Sequence, residues 1–310
     1  MDKKGFQIAF SWLFAIIVGG AILVLAVLVA TKILGIGGAQ VSAETQKSLE
    51  VIMNNIESGL ETSLVTSFSL PRKTQIVGEC YEEGPFGKQI IRVSQKNFGK
   101  WSKPISGAST SNRYVFLSNP AEGKIFYIFS KQFEFPFKVA NLIYLTSAST
   151  NYCFVDAPPS IKEELTDLKR MDPKLNIWVD DCPQKSLKVC FGSSSCEINV
   201  DYEEGVVKKR GKKAHFVGDA LMYGAIFSDK ENYECQIKRL MARTKELAEI
   251  YMEKENIIAS RGTCRGSLSP ELQKIKEIAS EVQSSEDLLK YKEVIEEIRR
   301  KNENSECPLW

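Results

Sequence analysis

Hydrophobic positions along this chain change their spacing three times. The first regime is Phe6–Thr31, 26 residues without one Asp, Glu, Lys, Arg or His. As a helix rising about 1.5 Å per residue it reaches roughly 39 Å, more than the ~30 Å hydrocarbon core of a bilayer. Gly35-Ile36-Gly37-Gly38 then predicts a flexible break. In the second regime, Ala43–Val65, the residues Leu49, Ile52, Met53, Ile56, Leu60 and Leu64 recur at helical spacing on one face. That stripe predicts a juxtamembrane helix packed on the rest of the chain, or a stalk that binds a partner.

From about Pro71 the period becomes that of strands. Gln75–Cys80 and Gln89–Ser94 read as strands around the turn-rich stretch 82–87, and Phe98–Ser111 as a loop. Arg113–Leu117 and Lys124–Phe129 predict a hairpin across Asn119-Pro120-Ala121-Glu122-Gly123. Phe116, Phe126, Tyr127, Phe129, Phe133, Phe135 and Phe137 form an aromatic band expected on the packed face of a sheet. Val139–Thr146 is a further strand. Tyr152–Val155, a helix over Ile161–Met171 and Leu175–Val179 predict a strand–helix–strand unit with parallel strands. Ser160 and Glu163 stand at capping-box spacing at the start of that helix. Leu187–Phe191, Glu197–Asp201, Val206–Lys209 and Lys212–Val217 follow as strands.

The last regime is helical. Asp219–Glu255 predicts one long helix or two shorter ones, Arg261–Gly266 a break, and Leu272–Val282 and Asp287–Lys301 two more helices, with Ser285 as N-cap. The fold class is therefore α+β or mixed α/β: a β-rich part holding a strand–helix–strand unit, then a C-terminal helical unit, on one N-terminal transmembrane helix. The implied divisions are 1–38, 39–70, 71–218 and 219–310.

Composition adds compartment more than activity. The chain is 43% hydrophobic and 26% charged with net charge +2, which is ordinary for a folded domain and gives no reason to expect a nucleic-acid partner. All eight cysteines lie beyond the apolar run: Cys80, Cys153, Cys182, Cys190, Cys196, Cys235, Cys264 and Cys307. An even number on one side of a membrane helix favours disulfides in an oxidising compartment. There is no Cys-x-x-Cys and His215 is the only histidine, so no metal site and no cofactor is expected. Cys190 and Cys196 flank a short loop and can bridge. In an up-down-up helical arrangement Cys264 and Cys307 share one end, while Cys235 reaches the β-rich part.

Charge placement orients the apolar run. Lys3, Lys4 and the amino terminus precede it and only Lys32 follows closely, which puts the N-terminus inside and the bulk of the chain outside the plasma membrane. The bilayer is then the first partner, through Phe6–Thr31, with envelope proteins or further copies of the chain as others. A cleaved secretory signal fits poorly, because the run exceeds a signal h-region. Lys3-Lys4-Gly5-Phe6 ahead of a long apolar helix resembles the start of type IV pilins and the related archaeal class III signal sequences. That resemblance implies cleavage between Gly5 and Phe6 and a helix that bundles into a filament core. Phe10 stands where the family commonly has Glu. The outer portion, through Val189-Cys-Phe-Gly-Ser-Ser-Ser-Cys196, Gly218-Asp-Ala-Leu-Met-Tyr223 and Tyr233-Glu-Cys235, is similar to archaeal single-pass envelope proteins, which implies location and no activity.

Two places carry candidate chemistry. Asp156 follows a parallel strand and leads toward a helix, a common ligand position, with Asp180 and Asp181 after the next strand. Lys208, Lys209, Arg210, Lys212 and Lys213 surround Gly211 as at a hairpin tip, and could contact an anionic surface such as a headgroup or an acidic wall polymer. No GxGxxG, GxxxxGK[ST], HExxH or GxSxG occurs. The leading expectation is a non-enzymatic anchored protein with an oxidised head, acting in envelope interaction or assembly. The rivals are a pilin-like subunit and a membrane-tethered enzyme or sensor using the crossover loop near Asp156.

Overall fold

The computed structural model describes residues 10–58, 65–97, 99–107, 109–192, 196–262 and 268–310. Its first element, α1, is one continuous helix over Phe10–Ser58, 49 residues or about 74 Å long. The break expected at Gly35–Gly38 is absent. Glycine keeps its amide N–H, so it weakens a helix by about 1 kcal/mol against alanine without removing a ladder bond. The large apolar side chains of Trp12, Phe14 and residues 16–29 are exposed, Trp12 at 71%. Among the described residues no helix is long and apolar enough to cross a membrane. Toward its other end α1 is packed: Leu49 and Met53 are fully buried with Ile52 beside them. The Ile56 side chain and all of Leu60 and Leu64 lie outside the described residues, as do Gly5 and Phe6.

The chain turns to β earlier than expected, at Val65. Strand β1 (Val65–Tyr81) carries Pro71 inside a bulge between Ser69 and Thr74, where a missing amide N–H interrupts no ladder bond. It is followed by β2 (Lys88–Asn97), the short β3 (Lys100–Trp101) and β4 (Ile105–Ser106), then β5 (Tyr114–Phe116), β6 (Ala121–Glu134) and β7 (Lys138–Ser147). Their order is β3-β2-β1-β6-β7-β5, with β4 beside β2. The expected hairpin across 119–123 does not form. β6 instead turns through Phe135–Phe137 onto β7, antiparallel, and β5 adds parallel to the far side of β7. The stretch 98–111, expected as loop, supplies β3 and β4.

This sheet is buried on both faces, which accounts for the aromatic band. Phe126 and Ile128 face the cluster built on Leu49 and Met53 of α1. Tyr127, Phe129 and Phe133 face the main core on the other side.

The second sheet contains β8 (Tyr152–Val155), β9 (Ile177–Val179), β10 (Leu187–Phe191), β11 (Ile198–Asp201), β12 (Val206–Lys209) and β13 (Lys212–His215), with α2 (Pro159–Met171) between β8 and β9. Its order is β13-β12-β11-β10-β8-β9. β9, β8, β10 and β11 run parallel, and β12 and β13 antiparallel, so the strand–helix–strand unit is present. The expected capping box at its helix is not: Pro158 is the N-cap and makes no side-chain cap, while Ser160 lies inside the first turn.

Of the one long helix or two shorter ones expected over 219–255, the chain forms two, α3 (Gly218–Phe227) and α4 (Lys230–Ser260). α5 (Ser269–Glu281), α6 (Ser285–Lys290) and α7 (Lys292–Glu303) complete the chain, the last two dividing at Tyr291 what the periodicity gives as one helix. Ser284, not Ser285, caps α6, with Asp287 closing the box. The helices do not stand apart as a unit. One buried cluster runs from Tyr114 through α3 and α4 to Leu309, so both sheets and the helices share a core.

Disulfides tie these layers. Cys80 of β1 bonds Cys235 of α4, Cys153 of β8 bonds Cys182, and Cys190 bonds Cys196 across the loop between β10 and β11. Cys307 is disulfide-bonded too, and its expected partner Cys264 lies outside the described residues.

Candidate functional site

The two sequence-predicted sites fall at opposite edges of the second sheet. Because β8, β9, β10 and β11 are parallel, their first residues share one edge and their last residues the other. Asp156 and Asp180 follow the ends of β8 and β9, and both adopt left-handed backbone, φ 55° and 57°. The structure brings them together: one carboxylate oxygen of Asp180 accepts the Asp156 amide N–H at 3.2 Å. The other accepts Lys162 Nζ of α2 at 2.7 Å. The Lys162 ammonium holds the Asp180 carboxyl below its usual pKa. Asp180 thus closes the turn around Asp156, a structural task. Asp181 is exposed after it, its amide N–H donating to Val179 O at 2.6 Å. Among the described residues no group of three or more His, Cys, Asp or Glu is placed to hold a metal ion.

Two clefts lie at the other edge, beside the β12–β13 hairpin. Arg210 and Gly211 form its two-residue tip with φ 50° and 75°, the left-handed pair that a tight hairpin turn requires. One cleft, of 540 Å³, is bounded by Ser118, the starts of β8, β10 and β11 (Tyr152, Leu187, Ile198), Ile226 of α3 and the hairpin residues Lys208 to Gly211. A second, of 280 Å³, lies on the α4 side, bounded by Lys209, Arg210, Lys212, Lys213, Asp229 and Glu231 among others. Lys209 and Arg210 border both.

The five cations of the hairpin have different fates. Lys209 is turned inward and donates to Ile226 O at 2.8 Å and Ser228 O at 2.7 Å, satisfying carbonyls left free at the end of α3. Burial pushes its ammonium down to about 8. Lys212 pairs with Glu231 of α4. Lys208, Arg210 and Lys213 have neither a hydrogen bond nor an ion pair from their side chains among the described residues. Lys208 and Lys213 are directly opposite one another on the two strands.

Sequence reasoning missed the remaining walls of the larger cleft. Tyr152 is 6% exposed, and its phenol is held above its usual pKa chiefly by burial, with a Ser118 hydrogen bond working against this. Ser118 Oγ donates to Phe227 O at 3.2 Å. Thus Ser118 and Lys209, 91 positions apart, bind adjacent carbonyls of one helix end. Only the three-dimensional position of α3 joins them, and no local sequence signal carries that. Among the described residues the one carboxylate on this cleft is Glu197, whose Oε2 accepts the Lys188 amide N–H at 3.1 Å.

A comparison with protein-family models, with curated proteins and with solved structures finds no match for this chain. The site has to be read from its own geometry.

Proposed function

We propose that this chain is a single-pass, membrane-anchored protein whose disulfide-bonded head stands outside the plasma membrane and acts in cell-envelope interaction or assembly. The observation that carries this reading is the division of α1. Its last turns are buried in the head, whereas the large apolar side chains of Trp12, Phe14 and residues 16–29 are exposed to solvent. Exposing that much contiguous apolar surface to water is unfavourable by roughly 25 cal/mol per Å², and a bilayer removes the penalty. The apolar run in the sequence extends to Phe6 and gives the length a crossing needs. Cysteines confined beyond it, three bridges among them, are compatible with an oxidising exterior.

Expression with its own N-terminus in a prokaryotic host tests this. The chain is expected to stay with membranes through alkaline carbonate washing and to lose its head to protease added outside intact spheroplasts. Release into the wash, or a head protected from that protease, overturns the reading.

One observation favours a narrower form of it. α1 runs unbroken through Gly35–Gly38 into its docked end, so a single rod joins the apolar part to the head. A pilin-like subunit would use such a rod as a stem in a helical bundle. Intact mass of the membrane-extracted chain decides between the two. A mature form beginning at Phe6 supports the pilin-like stem, and a chain retaining Met1–Gly5 supports the plain anchor.

A further inference from the structure

The β12–β13 hairpin carries an electrostatic cost that the described residues relieve only in part. Two pairs of lysines face each other directly across its strands, Lys209 with Lys212 and Lys208 with Lys213. Like charges directly opposite in an antiparallel pair destabilise it. In the first pair each cation has an outlet: Lys209 in the carbonyls of Ile226 and Ser228, Lys212 in Glu231. In the second neither has one among the described residues, and Arg210 adds a third unpartnered cation at the tip. Local conflicts of this kind are expected where a sequence serves a ligand as well as a fold.

The cavity beside it has a matching character. Among the described residues lining the 540 Å³ cleft, Lys208, Lys209 and Arg210 stand against one carboxylate, Glu197, while Asp229 acts on Lys209 from the neighbouring cleft. The volume of the larger cleft lies within the roughly 300–1,000 Å³ of small-molecule sites. Leu187, Ile198 and Ile226 supply an apolar wall, and Tyr152 and Ser118 line the same cleft. The carbonyl end of α3, which would repel an anion, is already neutralised by Lys209. The exposed Arg210 guanidinium on this cleft offers the planar fork that suits an oxyanion.

The geometry points to this cleft as a binding site for the phosphoryl group of a small ligand, held by Arg210 and Lys208 with Lys213 adding field from the opposite strand. The ligand is either a free phosphate ester or the headgroup of a phospholipid whose chains lie on the apolar wall. The site is independent of whether α1 crosses a membrane, because it stands on the hairpin alone.

The test uses the full chain in a neutral detergent, titrated calorimetrically with inorganic phosphate, glycerol 3-phosphate and monomeric dihexanoyl phosphatidate. Saturable binding by any of these is expected, weakened at least tenfold in the K208Q/R210Q double variant and largely retained in Lys208→Arg. Both substituted side chains are solvent-exposed, and an unchanged melting temperature verifies that the variants fold. If the double variant does not fold, Lys213→Gln replaces it, with weakening of about threefold expected. Preference for phosphatidate over glycerol 3-phosphate assigns the headgroup source, and the reverse order assigns the free ester. No saturable binding by any probe, or binding unchanged in the variants, overturns the proposal.

Discussion

Arg239 of α4 is 1% exposed and makes no ion pair among the described residues. Its guanidinium is satisfied by carbonyls instead: Nε donates to Phe86 O at 3.2 Å, Nη1 to Arg113 O at 3.0 Å and Nη2 to Ser111 O at 2.9 Å. Nη1 also donates to Gln236 Oε1 at 2.7 Å, and the group lies over the Tyr114 ring at 4.8 Å. Burial brings it down to about 10. Gly87, at φ 56°, is the residue that lets this happen, since a Cβ there would come within 2.4 Å of Tyr81 O and 2.9 Å of Arg239 Cγ. One side chain thus fastens α4 to two loops of the first sheet. Replacing it with Met leaves several carbonyls buried without donors, each at a cost of about 1–3 kcal/mol. Arg239→Met should therefore lower stability in urea by about 3 kcal/mol or more, and Arg239→Lys should recover little, because an ammonium cannot reach three directions in one plane. A loss below about 1 kcal/mol in Arg239→Met would show that water takes over these carbonyls.

Among elements, α1 is where sequence and structure diverge most instructively. Its amphipathic stripe was legible, and Leu49 and Met53 are buried as their spacing demands. Continuity through the glycines was not, because helix ends depend on what the flanking turns gain by continuing. The hairpin drawn across 119–123 failed for a related reason: alternation says that β5 and β6 are strands, and it does not say which neighbour each takes. The β12–β13 hairpin was legible because its turn residues and strand lengths are local. The cleft beside it was not, since Ser118, Tyr152 and Ile226 meet there only through tertiary packing. For α1 the docked end makes a sharp prediction. Truncating a fully buried leucine costs about 2–5 kcal/mol. Leu49→Ala should release residues 46–54 from the first sheet, seen as faster amide exchange there, while α4 and the second sheet keep their protection. Uniform loss of protection across the head would instead make α1 part of its folding core.

At the scale of the whole molecule, the question is what makes two sheets and a set of helices one body. The main buried cluster spans both sheets and reaches Leu309, so no surface divides β-rich from helical parts. The Cys80–Cys235 bridge reinforces this join, closing a sequence separation of 155 from β1 to α4. Cys153–Cys182 and Cys190–Cys196 close separations of only 29 and 6, both around the second sheet. In the chain-entropy account the stabilisation from a crosslink grows with loop length, to about 5 kcal/mol for the long bridge against about 2 kcal/mol for the shortest. The long bridge also joins elements that Arg239 already fastens, one turn further along α4, so bond and side chain act on the same seam. Replacing both Cys80 and Cys235 with Ala should therefore lower the unfolding midpoint more than the Cys190/Cys196 double replacement does. Adding Arg239→Met to the first pair should cost less than the sum of the two effects, because each weakens a seam that the other has already loosened. Urea denaturation of the four variants measures this. Strict additivity would mean that bridge and arginine hold the seam independently, and that the common core, not the fastenings, makes the head one unit.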